Sequence, residues 1–269
     1  AMRDLDDYLI YLKERGVYTI ARVVCFQDQL LPKAKPEWAV QSSSPIPRAV
    51  EEGFEPSVWV DRRGLAWVDP YNEKVQAYVL AVAERAAQLG FQGIQFDYIR
   101  FPSDGNTRWC RYSKPHTKTS GPEALARFLR KARKQLNPYN VEISIDVFGL
   151  AGTVEGGMGI GQNLTVLKET VDVLTPMMYP SHYAPGEYGI ADPNSSPYET
   201  ISEGIKDYLK LLSETDVELR PFLQDFSLGV KYTAERVRAQ IDAAEDLGVK
   251  EWLLWNPGCR YTRAALKEN

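Results

Sequence analysis

Three segments of the chain share one pattern, in which a helix-like stretch ends at a glycine and an apolar stretch follows. They span residues 12–24, 86–98 and 243–255. In the first segment Gly16 precedes the apolar run that starts at Tyr18, and a glycine suits the left-handed conformation that commonly ends a helix. Short helix-to-strand connections are typical of parallel sheets. The pattern therefore predicts an α/β fold.

Runs with a period of two alternate along the chain with runs that have a helical period. Strands are predicted at 17–26, 92–100, 141–148, 172–179, 218–226 and 250–255. Helices are predicted at 73–88, 122–136, 198–212 and 234–247. Asn72, Ser120 and Thr233 are the predicted N-terminal caps of the first, second and fourth of these helices. This order favours a (β/α)8 barrel of the TIM type, with a doubly wound sheet as the alternative.

The number of predicted strands is six, whereas a closed barrel of this type has eight. Because the chain opens on a helical pattern, the first two strands are expected to be absent from it. We therefore expect one (β/α)-barrel domain over residues 1–269 that is incomplete at its N-terminus. Such a barrel would expose sheet edges, and these edges favour pairing with another chain, so a homo-oligomer is one expectation.

Composition and charge narrow the kinds of partner. The net charge is −4, and no run of basic residues could follow a phosphate backbone, so nucleic acid is not an expected partner. No apolar run approaches the roughly 20 residues of a membrane helix, and the first residues lack the apolar core of a signal peptide. An extracellular or cell-envelope location is favoured only if an N-terminal segment has been removed.

Residue counts also limit the chemistry. Only His116 and His182 occur, which excludes a three-histidine metal site, and the three cysteines are too widely spaced for a zinc motif or a disulfide framework. The glycine-rich segment 155–162 lacks the spacing of a phosphate-binding loop. We expect neither a metal nor a cofactor. Acid and base chemistry on Asp or Glu is favoured, and the 15 Tyr and 6 Trp suit a carbohydrate substrate, although such residues also fill cores.

Carboxylates lie near the C-terminal ends of three predicted strands, where barrel enzymes place their catalytic groups. Around the first of them, Ile94 and Phe96 alternate with Gln95 and Asp97, so Asp97 lies on the polar side of its strand. Hydrolysis of a glycosidic bond needs two carboxyl groups, of which one protonates the leaving oxygen and the other stabilises or attacks the anomeric carbon. The predicted catalytic residues are Asp97, Asp146 and Asp225.

Other polar and aromatic side chains near the same strand ends are predicted to bind substrate. They are Arg22, Gln95, Tyr98, Arg100, Tyr179, His182, Tyr183, Gln224, Trp255 and Asn256. Each prediction has a structural alternative. An aspartate after a strand often caps the next helix, Arg100 could pair with Asp97 as scaffold, and His182 could belong to an aromatic cluster that closes the barrel end.

Several longer motifs, in one order along nearly the whole chain, resemble the putative glycoside hydrolase domains of bacteria. They are Gly64-Leu-Ala-Trp-Val-Asp-Pro, Ile94-Gln-Phe-Asp-Tyr-Ile-Arg-Phe-Pro, Asp146-Val-Phe-Gly, Pro176-Met-Met-Tyr-Pro-Ser-His-Tyr, Arg220-Pro-Phe-Leu-Gln-Asp-Phe and Trp252-Leu-Leu-Trp-Asn. The resemblance implies a barrel that acts on carbohydrate. Domains of that family usually begin with two more strands, which agrees with the strand count.

The chain is also distantly similar to retaining chitinase-type barrels, whose acidic motif ends in a catalytic glutamate. Asp97 matches the inner aspartate of that motif, and Ile99 stands where the glutamate is expected. The resemblance therefore moves the acid role to Asp146 or Asp225, or to a residue on the absent strands. We expect a hydrolase of O-glycosidic bonds in a polysaccharide or cell-envelope glycan. The alternatives are a non-catalytic glycan-binding barrel and a metal-dependent barrel enzyme.

Overall fold

A computed structural model describes residues 5–266, and the chain divides into two compact units. The first unit contains the residues up to 145 together with 156–171, and the second contains 146–155 together with the residues from 172 onward. The division between residues 145 and 146 falls inside one strand. The prediction of one domain over residues 1–269 stays a prediction.

The first unit carries three neighbouring parallel strands. Its helices are α1 Leu5–Glu14, α2 Leu31–Ala34, α3 Pro47–Glu51, α4 Glu73–Gln88, α5 Ser120–Leu136 and α6 Leu164–Leu167. Its strands are β1 Ile20–Val24, β2 Gln41–Ser42, β3 Gly93–Asp97, β4 Cys110–Arg111 and the first part of β5 Glu142–Phe148. Strand β3 is parallel to β1 and to β5, with Arg22 opposite Gln95 and Gln95 opposite Ser144. Strands β2 and β4 form a separate antiparallel pair.

Helices α4 and α5 form where the helical period predicts them. Asn72 caps α4, because its side chain accepts a hydrogen bond from the Lys74 N–H. Helix α5 begins at Ser120 rather than after it, and Ser120 Oγ donates to the carbonyl of Pro115 instead of capping the helix. The cap prediction for Ser120 is therefore wrong. Both helices bury one apolar face, which in α5 includes Leu125, Phe128 and Leu129.

The second unit carries the remaining parallel strands. It contains the end of β5, β6 Val173–Met178, α7 Pro197–Leu212, β7 Glu218–Leu219, β8 Phe222–Gln224, α8 Ala234–Asp246 and β9 Leu253–Trp255. Strand β6 is parallel to β7 and β8, and β8 is parallel to β9. The predicted strand 218–226 is divided between β7 and β8 at Arg220 and Pro221. Proline lacks the N–H that a continuous ladder requires, which explains the break.

The observed elements confirm the predicted fold class. Each of the six predicted strands is present, and the glycines that end α1, α4 and α8 have positive φ angles, 71° at Gly16, 102° at Gly90 and 79° at Gly248. The fold is α/β of the TIM-barrel type, and residues 5–266 contain fewer parallel strands than the eight of a closed barrel. Within the same residues no helix has the length and apolar character needed to cross a membrane.

Candidate active site

Asp97 is the last residue of β3, in the first unit, and only 4% of its surface is exposed. Its Oδ2 forms an ion pair with Arg22 of the neighbouring strand β1, and its Oδ1 accepts a hydrogen bond of 2.6 Å from the Tyr98 N–H. Both carboxylate oxygens therefore act as acceptors. The alternation of side chains along β1 and β3 produces this pair, because Arg22 lies one row below Asp97 on the same side of the sheet.

The chain turns sharply after Asp97. Tyr98 has a φ of 50°, a left-handed conformation that is uncommon for a residue with a side chain. Its ring packs edge-on against Trp67 at 5.8 Å, and the Arg100 guanidinium lies 4.7 Å from the centre of the Trp67 ring. Burial lowers the pKa of Arg100 to about 10, although the charges of Tyr98, Asp97 and Asp61 act in the opposite direction. Tyr98 and Arg100, two of the predicted substrate-binding residues, thus lie beside the Asp97 carboxylate and contact the Trp67 ring.

A second polar row lies below Asp97. Gln95 and Ser144 are opposite each other on β3 and β5, and they are 3% and 0% exposed. Within the described part of the chain, Gln95 Nε2 and Ser144 Oγ have no hydrogen-bond partner. Gln95 is therefore buried beneath the strand end and not exposed on the rim. Its role as a substrate-binding residue stays a prediction.

Asp146 and the aromatic residues after β6 belong to the second unit. Asp146 is 2% exposed and accepts a hydrogen bond of 2.6 Å from Thr175 Oγ1 on β6. Tyr179 follows β6, and its ring centre lies 5.4 Å from that of His182 and 5.5 Å from that of Phe226. The predicted candidates Tyr179 and His182 are thus in one aromatic cluster.

Hydrogen bonds determine which nitrogen of His182 carries the proton. The Ser181 N–H donates to Gln224 Oε1 at 3.1 Å, which identifies that atom as the amide oxygen. Ser181 Oγ lies 2.9 Å from the same oxygen and donates its hydrogen there, because an amide oxygen only accepts. His182 Nδ1, 3.0 Å from Ser181 Oγ, is then the donor in that contact. The neutral ring therefore keeps Nε2 as an acceptor, and burial lowers the pKa of His182, which favours the neutral form.

Gln224 is buried, and its own contacts are with the protein. Besides accepting from Ser181, its amide nitrogen donates to the Phe226 carbonyl at 2.9 Å. Its backbone exchanges two hydrogen bonds of 2.8 Å with the side chain of Gln240. In this structure Gln224 positions the loop that carries His182.

Asp225 anchors the segment that follows β9. Its Oδ2 accepts from the Thr262 N–H and its Oδ1 from Thr262 Oγ1, each at 2.6 Å. Asn256 accepts a 2.8 Å hydrogen bond from the Gly258 N–H, which forms a turn. Trp255, at the end of β9, is half-buried and its ring lies 6.1 Å from Phe222. The structure therefore brings Asp225 together with the segment 256–262.

Tyr183 is buried in the second unit, with 7% of its surface exposed. Burial raises the pKa of its phenol well above the ordinary value. Within residues 5–266 its Oη has no hydrogen-bond partner, and it lies against Gly149 and Gly204. Tyr183 is thus packed against Gly149 and Gly204 in the second unit, and its role as a substrate-binding residue stays a prediction.

A polar and aromatic cluster in the first unit was missed from the sequence. Asp69 accepts from the N–H groups of Tyr71 and Ser113 at 2.9 and 2.7 Å, and Tyr71 Oη lies 2.9 Å from His116 Nδ1. Asp69 follows Trp67 in the motif that begins at Gly64, which was the available signal. Among the described residues no group of three or more His, Cys, Asp or Glu side chains is suited to a metal ion.

Parallel strands with buried carboxylates at their C-terminal ends are typical of TIM-barrel-type enzymes. A family model described as the putative glycosyl hydrolase domain matches residues 1–261, and the chain belongs to this family. This result confirms the resemblance inferred from the motifs. No curated protein sequence matches the chain significantly.

Solved structures with the same fold include several glycoside hydrolases. The glycoside hydrolase domain of PgaB (BpsB) from Bordetella bronchiseptica is 15% identical, with a TM-score of 0.62 over 91% of this chain and 72% of that one. The spore cortex-lytic enzyme SleL of Bacillus megaterium is 13% identical, with a TM-score of 0.55 over 98% of this chain and 61% of that one. The α-galactosidase TtGalA of Thermus thermophilus is 13% identical, with a TM-score of 0.57 over 94% of this chain and 46% of that one.

These comparisons establish the fold. The chain spans less than two thirds of the length of SleL and of TtGalA. At such low identities, similarity of structure does not transfer a substrate or a mechanism. The substrate and mechanism of this protein depend on its own side chains at the strand ends.

Proposed function

We propose that this protein is a glycoside hydrolase that cleaves O-glycosidic bonds of a polysaccharide or cell-envelope glycan with two carboxyl groups. The observation that supports this most is the buried carboxylate of Asp97 at the C-terminal end of β3. Barrel enzymes place catalytic groups at this end of their strands. The family match and the glycoside hydrolases among the structural neighbours support the same reaction class.

Asp97 is proposed as the nucleophile or charge-stabilising carboxylate. Both its oxygens accept hydrogen bonds, from Arg22 and from the Tyr98 N–H, and neither contact requires a proton on the carboxyl group. A carboxylate held by a neighbouring strand is suited to stabilise positive charge that develops at an anomeric carbon.

Asp146 is proposed as the acid that protonates the leaving oxygen. The pairing of Asp97 with Asp146 rests on the sequence, in which both aspartates lie on the polar sides of two successive predicted strands of the barrel. Asp146 is 2% exposed and accepts a hydrogen bond from Thr175 at Oδ1, so the side chain is held in place by the neighbouring strand β6. In the same proposal Asp225 has an anchoring role, because both its oxygens accept from Thr262.

Substrate contacts are proposed for side chains near the strand ends of each unit. Arg100 and Tyr98 line the turn after Asp97, and the Tyr179 ring with the Nε2 of His182 provides an apolar face and a hydrogen-bond acceptor. Sugar rings pack on aromatic faces and present hydroxyl donors, which this combination suits.

A second candidate function is a non-catalytic glycan-binding barrel. Ile99 favours it, because this residue is 0% exposed and occupies the position where chitinase-type barrels carry their acid. The same aromatic and polar side chains would then bind a glycan without cleaving it.

Asp97→Asn tests the proposal. Turnover of a library of polysaccharides and cell-envelope glycans should fall by about 10²- to 10⁴-fold, because the amide cannot attack or carry the negative charge. Glycan binding should remain. Asp104→Asn is the matched control: this aspartate follows on the same loop, is exposed and pairs with Arg62, so turnover should stay near that of the wild type.

Two results would count against the proposal, one against hydrolysis and one against the role of Asp97. Wild-type protein that binds glycans from the library without releasing reducing ends supports the binding barrel. Equal turnover by wild type and Asp97→Asn removes Asp97 from the mechanism. For an active enzyme, the anomeric configuration of the product determines the mechanism: retention corresponds to carboxyl groups about 5–5.5 Å apart, and inversion to about 6.5–9.5 Å.

A further inference from the structure

A pocket of about 560 Å³ lies in the first unit, beside the loop that follows β3. Its walls come from the stretch between Pro102 and His116, together with Gly159. None of the catalytic or substrate-binding residues predicted from the sequence lines it. A volume of this size is in the range of pockets that bind small molecules.

The wall of this pocket is basic, although the protein as a whole is acidic. Residues 105–122 contain Arg108, Arg111, Lys114 and Lys118 and no acidic residue, whereas the net charge of the chain is −4. Arg111 and Lys114 line the pocket, and Arg108 and Lys118 do not. A local excess of positive charge in a concave site attracts anions and raises their concentration there.

The rings of Tyr112 and His116 line the pocket, and the buried ring of Phe101 packs against His116. The ring centre of Tyr112 lies 5.0 Å from that of His116, and the ring centre of Phe101 lies 4.2 Å from the His116 ring. Asp69 holds this loop in place by accepting a hydrogen bond of 2.7 Å from the Ser113 N–H, next to Lys114. The wall is therefore tied to the buried side chains of Asp69 and Phe101 before a ligand binds, which reduces the entropic cost of binding.

His116 is held at the pocket by a network of hydroxyl groups. Ser120 Oγ donates to the Pro115 carbonyl at 2.8 Å and accepts from the Thr117 N–H at 2.8 Å. Tyr71 Oη lies 2.9 Å from Ser120 Oγ and 2.9 Å from His116 Nδ1. The imidazole of His116 is therefore tied to the protein at Nδ1.

We propose that this pocket binds an anionic saccharide unit, with the acidic group on Lys114 and Arg111 and the sugar ring against Tyr112. Two N–H groups of Arg111 Nη1 contact the carbonyls of Arg108 and Cys110, and a guanidinium has further donors for a ligand. The saccharide part of this inference rests on the proposed function, whereas the anionic part rests on the charges of the wall.

The test uses the imidazole signals of the two histidines in NMR spectra of the full chain. Glucuronic acid and glucose differ only at C6, where one has a carboxylate and the other a hydroxymethyl group. Glucuronic acid, and glucose 6-phosphate as a second anionic sugar, should shift the His116 signal in a saturable way, and glucose should shift it far less. Added salt should weaken both anionic ligands, because screening reduces charge attraction.

A matched pair of variants tests whether the positive charge that binds the ligand lies inside the pocket. Lys114→Gln should weaken glucuronic acid roughly fivefold, the effect of losing one hydrogen bond to a charged group near the surface. Lys118→Gln removes the same charge outside the pocket and should leave the affinity unchanged. Equal losses in the two variants would show that the binding depends only on overall charge, and would overturn the proposal.

Two further outcomes would also count against the proposal. Equal shifts of the His116 signal with glucose and glucuronic acid, or none with either, would overturn the anionic preference. Binding of free phosphate as tight as that of glucose 6-phosphate would show that the sugar ring adds nothing. The assay contains no turnover step, so it can fail while Asp97-dependent hydrolysis is intact, and hydrolysis can fail while the pocket still binds.

Discussion

His182 illustrates how one hydroxyl group can determine the chemistry of a neighbouring ring. The Ser181 hydroxyl donates to Gln224 Oε1, which leaves Nδ1 of His182 as the donor to Ser181 Oγ. The opposite edge of the ring, at Nε2, is then an acceptor in the neutral state. A free histidine in water favours the tautomer with the proton on Nε2, so this local network reverses the ordinary preference.

Ser181→Ala should release this constraint. We expect the His182 ring to return towards the Nε2–H tautomer and the free energy of unfolding to fall by about 1 kcal/mol, the value of one hydrogen bond. Long-range ¹H–¹⁵N NMR correlations measure the tautomer. His116 is the internal control, because its Nδ1 contacts Tyr71 Oη, far along the chain from Ser181, and its signal should not change. A His182 ring with Nε2–H in the wild type would contradict the assignment.

At the scale of elements, the strand ends depend on small residues packed behind them. Gly149 directly follows β5, and a Cβ atom there would lie 2.4 Å from Tyr183 Oη and 2.8 Å from the Met177 carbonyl oxygen. Gly204, within α7, faces the same Tyr183 hydroxyl, but its Cβ atom would lie at an ordinary 3.5 Å. The two glycines therefore differ in how much space the structure leaves them.

Gly149→Ala and Gly204→Ala form a matched pair. The first should destabilise the protein by about 1–3 kcal/mol, because a backbone carbonyl has to move. The second should be neutral or stabilise it by up to about 1 kcal/mol, because alanine favours the helix. Urea unfolding of both variants measures the difference. Equal effects in the two variants would mean that close packing behind β5 is not what requires glycine.

The sequence predicted the strands and their terminal carboxylates because both depend on local order. Alternation over four residues is enough to assign Asp97 to the polar side of β3. The Asp69–Tyr71–His116 cluster was not predictable in this way, because its members come from segments 45 residues apart. The same holds for Asp225. Its position on the strand could be predicted from the alternation, but its hydrogen bonds with Thr262, 37 residues later in the sequence, depend on the tertiary fold.

At the scale of the whole molecule, we expect the two histidines to make the free energy of unfolding depend on pH. Burial lowers the pKa of His116, with the Asp69 charge acting in the opposite direction, and burial lowers that of His182. In the unfolded chain a histidine titrates near 6.5. Between the folded and unfolded pKa values, the unfolded state binds more protons, so acid favours unfolding.

The midpoint of urea unfolding should therefore fall as the pH decreases from about 7.5 to about 5.5, where most carboxylates with ordinary pKa values remain ionised. A His116→Gln, His182→Gln double variant should lose most of this dependence. If the double variant shows the same dependence as the wild type, other groups control it. If the wild-type midpoint does not change, the histidines are not buried enough to matter.

The contact between Asp225 and Thr262 bears on where the protein can be shortened. The family match ends at residue 261, which makes that position an obvious choice for the end of a trimmed or fused protein. Thr262, the next residue, supplies the amide and the hydroxyl that hydrogen-bond both oxygens of the Asp225 carboxylate. A cut at residue 261 would remove both donors from a nearly buried negative charge, so the practical boundary lies beyond the one that alignment suggests.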